Sequence, residues 1–223
     1  MKTFWTIIVI FLVLIIVFVL ISVGDDTNDL DENGPNATST QDGIPQELEL
    51  TDSHSSPNNG FRIRFSSEMG FLVTAEQIES LGYVALCDPE TSLVCVIYLE
   101  ELLPGRNFHG GAVSVSIDED KTTEESCTAQ EDNEMEAVDS MSVDGEVFVG
   151  YGFGEAATSR QVRGAHYRAL VHNRCYQIAT RIETTTFEVY EAGTIQRFTN
   201  EEREHVESEL MRVIDSIEFL SEE

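Results

Sequence analysis

The chain has 223 residues, and its 41 acidic side chains against 13 basic ones give a formal net charge of −28 at pH 7. An acidic surface of this kind repels nucleic acid and anionic lipid headgroups, and no basic patch in the sequence offsets it. Nucleic-acid binding is therefore excluded as a function.

An uncharged apolar run extends from Phe4 to Val23. As a helix, it would cover the hydrocarbon core of a bilayer, which is about 30 Å thick, so residues 1–24 are predicted to be a transmembrane anchor. Lys2 is the only basic side chain before the run, whereas acidic residues crowd positions 25–32. Basic side chains are retained in the cytoplasm, so we expect a single-pass protein of the cell membrane with a cytoplasmic N-terminus and an extracytoplasmic C-terminal domain. Secretion after signal cleavage near Gly24 is the alternative.

Residues 25–59 are rich in Asp, Asn, Ser, Thr, Gly and Pro, and they predict an acidic, disordered stalk. Within it, Asp29, Asp31 and Asn33 match the first half of a calcium loop, in which alternate side-chain oxygens face the ion. The second half is missing, because Thr40 stands where a bidentate glutamate is needed. Calcium-dependent adhesion through the stalk is therefore kept as an alternative function, and no other metal site is predicted.

Apolar periodicity begins at Phe61, and residues 60–223 are enough for one extracytoplasmic domain with its own core. Alternation of apolar and polar residues predicts strands at 61–65, 113–117 and 147–153. A capping box at Thr74 starts a short helix that ends before Gly82. A second capping box at Thr199 starts an amphipathic helix, whose apolar stripe is Val206, Leu210, Val213, Ile214 and Ile217.

A β-hairpin is predicted near residue 173. A two-residue turn at 173–174 would pair Val171 with Tyr176 and make one face of the hairpin mainly apolar. The opposite face would hold polar side chains: Arg168, Gln177 and Arg181. Because Arg174 is a poor residue for a primed turn, a longer loop is the alternative.

The four cysteines are an even number in a domain that is predicted to lie in an oxidising compartment, so two disulfides are expected. Cys87 and Cys95 flank a turn that contains Asp88 and Pro89, which would bring two neighbouring strands together. Their pairing leaves Cys127 with Cys175. Zinc would need close ligand pairs such as C-x-x-C, and the sequence has none.

The catalytic signatures of hydrolases, nucleotide-binding proteins and zinc proteases are missing from the sequence, and we predict no cofactor. The glycine-rich stretch 150–154 follows strand periodicity, which favours a strand that bends or packs closely over a phosphate cradle. His109 lies in a turn-like Asn-Phe-His-Gly-Gly setting, where a general base would be exposed. It is the candidate exposed site of a hydrolase-like enzyme, together with nearby carboxylates.

The stretches "FHGGAVSVSID", "VFVGYGFG" and "HYRALVHNRCYQIATRIE", followed by a helix that ends in "VIDSIEFL", resemble the PsbP-like α/β/α sandwich of membrane-anchored or secreted bacterial proteins. The resemblance covers roughly residues 60 to 221. It implies an α+β fold, in which an antiparallel β-meander sheet is covered by an N-terminal short helix and a C-terminal amphipathic helix. No functional residue of the family carries over.

Domains of this family generally bind or assist assemblies. The expected function is therefore a non-catalytic, membrane-tethered extracytoplasmic module that binds an envelope protein, a peptide or a wall component. An extracytoplasmic enzyme that uses His109 and calcium-dependent adhesion are the alternatives.

Overall fold

A seven-stranded antiparallel sheet is the larger of the two sheets that the described residues form. The computed structural model describes residues 45–132, 134–157 and 159–220, all within the unit Gly43–Glu223. In their order across the sheet, the strands are β3 (Gly70–Leu72), β4 (Val94–Leu99), β5 (Phe108–Asp118), β9 (Arg174–Thr185), β8 (Arg160–Val171), β7 (Glu146–Ala157) and β6 (Ala137–Val143).

A second, three-stranded sheet contains the remaining strands of the described residues, β1 (Asp52–Ser56), β2 (Phe61–Phe65) and β10 (Glu218–Phe219), with β2 in the middle. The α-helices of the same part of the chain are α1 (Ala75–Ser80), α2 (Glu124–Cys127) and α3 (Asn200–Asp215). Only α3 is long enough to cover several strands. The described chain is thus mainly β, and roughly α+β.

The predicted fold, one β-meander covered by two helices in a PsbP-like sandwich, is wrong. The described part of the chain forms two antiparallel sheets, and the large one is not a single meander, because β5 pairs with β9 and the chain re-enters at the far edge as β6. Alternation of apolar residues indicates where strands lie, but not which strands become neighbours.

Residues 45–59, the described part of the predicted stalk, belong to the folded domain. Leu48 is buried in the core, and β1 pairs along its whole length with β2, where His54 faces Ile63. Strand β1 has polar side chains and is held by main-chain hydrogen bonds, which a compositional argument does not detect. The predicted anchor and the calcium candidates Asp29, Asp31 and Asn33 lie outside the described residues.

Among the residues that the structure describes, no helix has the length and apolar character needed to cross a membrane.

Both predicted capping boxes are present. The Thr74 hydroxyl accepts a hydrogen bond from the Gln77 backbone N–H, and the Thr199 hydroxyl accepts one from that of Glu202. The strand predicted before Cys87 is wrong, because a 3₁₀ turn at Tyr83–Ala85 occupies that place. Strand β3 pairs with β4 instead.

The predicted hairpin is present with a different turn. Val171 pairs with Arg174, so His172 and Asn173 are the turn residues, and both have left-handed backbone angles (φ 48° and 63°). Two consecutive left-handed residues give a primed turn, whose twist matches that of the strands. The shift is two residues, so each side chain keeps its predicted face.

The main hydrophobic core lies between the large sheet and the layer formed by α3 and β2. We call this side of the large sheet the helix face. The core contains Val113 and Ile178 from the sheet, Ile63 from β2 and Leu210 from α3. A smaller cluster on the opposite face, which we call the loop face, includes Ile78 of α1.

Candidate functional site

A groove of about 540 Å³ opens on the helix face, between α3 and the half of the sheet that contains β7, β8 and β9. Most of its wall is apolar, with Met135, Val138, Tyr167, Ile182, Leu210 and Met211 among the lining residues. Met135 and Val138 stand at its open side and are 54% and 40% exposed. A concave, mainly apolar space of this size is typical of ligand sites.

Three glycines of β7 make room for the side chains beside this groove. A Cβ atom at Gly150 would lie 2.7 Å from Val138 Cγ2 and 2.8 Å from Tyr167 Cε1. At Gly152 the nearest atom would be Met135 Cε, at 3.4 Å. The glycine-rich stretch is therefore a strand against which larger side chains pack closely, as the sequence indicated.

The groove carries positive charge in a strongly acidic protein. Arg163 of β8 and Arg203 of α3 both line it, and Glu207 is the carboxylate among its lining residues. Arg181 of β9 is also among the lining residues, but its guanidinium contacts His166 on the loop face. Arg163 is exposed and Arg203 is half-buried, and within the described chain neither forms an ion pair shorter than 4 Å. The Arg203 guanidinium lies 5.2 Å from the centroid of the Phe198 ring. These two cations are available to an anionic ligand.

Tyr167 adds a hydrogen-bond donor to the groove wall. Burial raises the pKa of its hydroxyl, and the negative charges of Glu207 and Asp139 raise it further. The hydroxyl therefore keeps its proton across the physiological pH range.

A polar cavity of about 150 Å³ lies next to the groove and shares Arg203 with it. Its lining includes Asn107, Thr184, Thr185, Thr186, Arg197 and Phe198. The Asn107 amide fixes one wall, because its nitrogen donates to the Thr185 carbonyl at 2.5 Å and its oxygen accepts from the Phe198 backbone N–H at 2.7 Å.

His109 lies in β5, at a bulge between Phe108 and Gly110, and not in the turn that the sequence indicated. Its Nδ1 atom is 3.4 Å from a carboxylate oxygen of Glu100, and its Nε2 atom contacts the hydroxyl of Thr185. The structure therefore brings the candidate base beside a carboxylate and a hydroxyl, although His109 lines neither the groove nor the polar cavity.

A buried charge cluster lies on the loop face and was not predicted from the sequence. The Arg168 guanidinium donates to both carboxylate oxygens of Glu134, at 2.5 and 3.1 Å, and to the Gln177 side-chain oxygen at 2.8 Å. With its proton on Nδ1, His166 donates to Glu134 over 3.1 Å and accepts at Nε2 from Arg181, 3.5 Å away. The one clue in the sequence was the polar face of the predicted hairpin, which contained Arg168 and Gln177.

The cluster shifts the pKa of its members. Burial is the largest single influence on Glu134 and raises its pKa, but hydrogen bonds from the Glu131 backbone, Arg168 and His166 together bring it below its ordinary value. Burial lowers the pKa of His166, and the nearby Arg181 lowers it further. At neutral pH the cluster therefore contains ionised Glu134 and uncharged His166.

The structure contains both predicted disulfide pairings. Cys87 and Cys95 are bridged with their Cα atoms 6.1 Å apart. The bridge between Cys127 and Cys175, with a Cα distance of 5.5 Å, joins α2 to β9 beside the charge cluster. Two disulfides fit an extracytoplasmic setting. In the part of the chain that the structure describes, no three His, Cys, Asp or Glu side chains are arranged to hold a metal ion.

No family model matches the sequence, and no curated protein matches it either. Function is therefore inferred from the geometry of the groove and its surroundings.

Proposed function

We propose that the protein is a non-catalytic extracytoplasmic binding module that holds an apolar segment of its ligand in the groove. The groove itself carries the proposal. Met135 and Val138 expose apolar side chains beside a preformed groove. Each Å² of apolar surface in contact with water costs about 25 cal/mol. A ligand that covers these side chains would recover that free energy.

The surroundings of the groove support this function. Its walls come from regular elements, β8 and β9 on one side and α3 on the other, so the space is preorganised and little ordering is needed on binding. The volume of about 540 Å³ suits a small molecule or one chain-like segment, and is too small for a folded partner.

The proposed setting is the outer side of the cell membrane. The disulfides support an oxidising compartment, and the apolar run 4–23 supports a single membrane tether with its N-terminus in the cytoplasm. A tethered groove would meet molecules at the membrane surface or in the wall.

Photolabelling tests the proposal. The full chain, in lipid nanodiscs, is irradiated with an uncharged 12-carbon alcohol that carries a diazirine, and the labelled peptides are mapped. We expect labels on peptides that contain Tyr167 or Met211, and about a tenfold loss of label in Met135→Glu, because a charge at the open side of the groove opposes apolar burial.

Val147→Glu is the matched control. Val147 is 63% exposed on β7, does not line the groove, and receives the same new charge. Equal labelling of Met135→Glu and wild type, or labels that map outside the groove in wild type, would contradict the proposal.

The arrangement around His109 favours an enzyme as the second candidate. A hydroxyl on Nε2 and a carboxylate on Nδ1 are the partners that a hydrolase gives its general base, here Thr185 and Glu100. The hypothesis predicts covalent labelling of Thr185 by a fluorophosphonate, and loss of that label in His109→Gln. An unlabelled wild-type protein would remove this candidate.

A further inference from the structure

We infer that the ligand of the groove is a single-chain amphiphile with an oxyanion head, its apolar chain in the groove and its head at Arg203. The inference rests on the proposed function and specifies the chemical class of its ligand. Its basis is the position of Arg203, which lines both the apolar groove and the polar cavity.

The shape of the site favours an amphiphile. An apolar space of about 540 Å³ and a polar space of about 150 Å³ are adjacent and meet at one cationic side chain. A molecule that fills both must change from apolar to polar along its length. The smaller volume is about that of a carboxylate, sulfate or phosphate group with a few bound waters.

The charge of the site favours an anionic head. The chain carries a net charge of −28, so an anion is repelled from most of its surface and needs a local excess of positive charge to bind. Arg163 and Arg203 supply that excess beside one lining carboxylate, Glu207. Arg203 is half-buried, and a charge-assisted hydrogen bond to an oxyanion is stronger there than in open solvent.

The groups that would surround the head also favour an anion. Thr184, Thr185 and Thr186 are consecutive residues that line the polar cavity, together with Arg197. Arg197 is already paired with Glu188 at 2.6 Å, which leaves Arg203 as the cation that accepts a new anionic partner. Glu188 also lines the cavity, but its charge is already compensated by Arg197. A cationic head would therefore meet a cavity with one excess positive charge, and an uncharged head would leave Arg203 without its ion pair.

The test compares three diazirine probes with the same 12-carbon chain and different heads: a carboxylate, an alcohol and a primary amine. With the full chain in nanodiscs, we expect the carboxylate probe to label the groove about ten times more strongly than the alcohol at the same concentration, and the amine to label it least. Arg203→Gln is expected to lower labelling by the carboxylate probe to the amount seen with the alcohol probe.

Arg62→Gln is the matched control, since it also removes one positive charge. Arg62 lies in β2, where it pairs with Glu218, and it lines neither space. We expect its labelling to equal that of wild type. Equal loss in both variants would assign the effect to overall charge and overturn the inference.

The possible outcomes distinguish an error in the proposed head group from an error in the proposed binding function. If the alcohol labels the groove as well as the carboxylate does, and Arg203→Gln changes nothing, the oxyanion head is wrong while the binding groove stands. If no probe labels the groove, the proposed function fails as well. If an apolar peptide with a free C-terminus displaces the label but unmodified laurate does not, the ligand is a peptide and the amphiphile is overturned.

Discussion

Arg168 and Glu134 form a two-point ion pair from which water is excluded, with side-chain exposures of 1% and 0%. Their two hydrogen bonds, at 2.5 and 3.1 Å, connect β8 to the segment that precedes β6. A buried pair of this kind is sensitive to the loss of either partner, because the remaining charge has no solvent to stabilise it.

Glu134→Gln should lower the free energy of unfolding by about 3 to 5 kcal/mol, since Arg168 would keep its charge in a buried site. The carboxylate that remains near Arg168 is that of Glu131, which is 3.3 Å away but 41% exposed. Urea unfolding of the full chain measures the effect. Glu188→Gln is the control, because Glu188 pairs with Arg197 at the surface, with exposures of 65% and 61%. Exposed pairs contribute little to stability, so similar losses in the two variants would disprove the role of burial.

The stability of the protein should fall with acid in two steps. The pKa of His166 is lower in the folded protein than its ordinary value of 6.5, so below that value the unfolded chain binds a proton that the folded chain does not, and stability is lost as the pH falls toward the folded pKa. The pKa of Glu134 is also lower in the folded protein than its ordinary value of 4.5, so the free energy of unfolding falls further as the pH drops below that value. Unfolding by urea between pH 4 and 8 measures both steps.

His166→Gln separates the two steps. The variant should lose the decline that begins near pH 6.5 and keep the one that begins near pH 4.5. A decline near pH 6.5 that is unchanged in the variant would assign it to another group.

Gly164→Ala should destabilise the hairpin of β8 and β9 by at least about 2 kcal/mol, because a Cβ atom at this position would overlap the backbone carbonyl of Thr180. Gly154→Ala is the control in the neighbouring strand, where the nearest atoms would be the flexible end of Met135 at 3.6 Å. Thermal unfolding of the two variants is the measurement. A Gly164→Ala protein as stable as the control would show that the strand adapts.

The two disulfides should differ in their contribution to stability. Cys127 and Cys175 are 48 residues apart, whereas Cys87 and Cys95 are 8 apart. Loop entropy in the unfolded chain predicts about 4 kcal/mol for the first bridge and about 2.6 kcal/mol for the second. Double Cys→Ser variants of each pair, compared by urea unfolding, test this order, and the reverse order would contradict the loop-entropy account.

Asp31→Ala is expected to leave the calcium affinity of the full chain unchanged. The sequence provides Asp29, Asp31 and Asn33 but has Thr40 in place of the bidentate glutamate, so the coordination shell would be incomplete. Calorimetric titration of wild type and variant with calcium is the measurement. Calcium binding that the variant weakens would revive adhesion through the stalk.

Features that depend on neighbouring residues in the chain were predictable. The capping boxes at Thr74 and Thr199 formed as expected, because both partners lie within one helical turn. The apolar and polar faces of the β8–β9 hairpin were also correct, since side chains alternate whatever the turn residues are. The predicted position of the turn was wrong. The turn residues are His172 and Asn173, whose left-handed backbone angles the sequence pattern alone did not reveal.

Features that depend on distant pairing were not predictable. Glu134 and Arg168 are separated by 34 positions, and nothing in an acid-rich sequence singles out one glutamate as the buried partner of an arginine. The groove also depends on distant pairing and was not predictable, because Met135 and Met211 come together only after α3 has packed on the sheet. Strand β1 was assigned to the stalk since its polar side chains carry no burial signal.

The pairing of β5 with β9 has a consequence for how the protein folds. These strands are neighbours in the sheet, with Asp118 opposite Cys175, although three other strands lie between them in the chain. The hairpins of β6 to β9 are local and should form early, whereas β5 must wait for a completed β9 before it can dock. The centre of the sheet is then the last part to assemble, and β3 to β5 are synthesised before their permanent neighbour exists. Until then, their apolar surfaces need protection from aggregation.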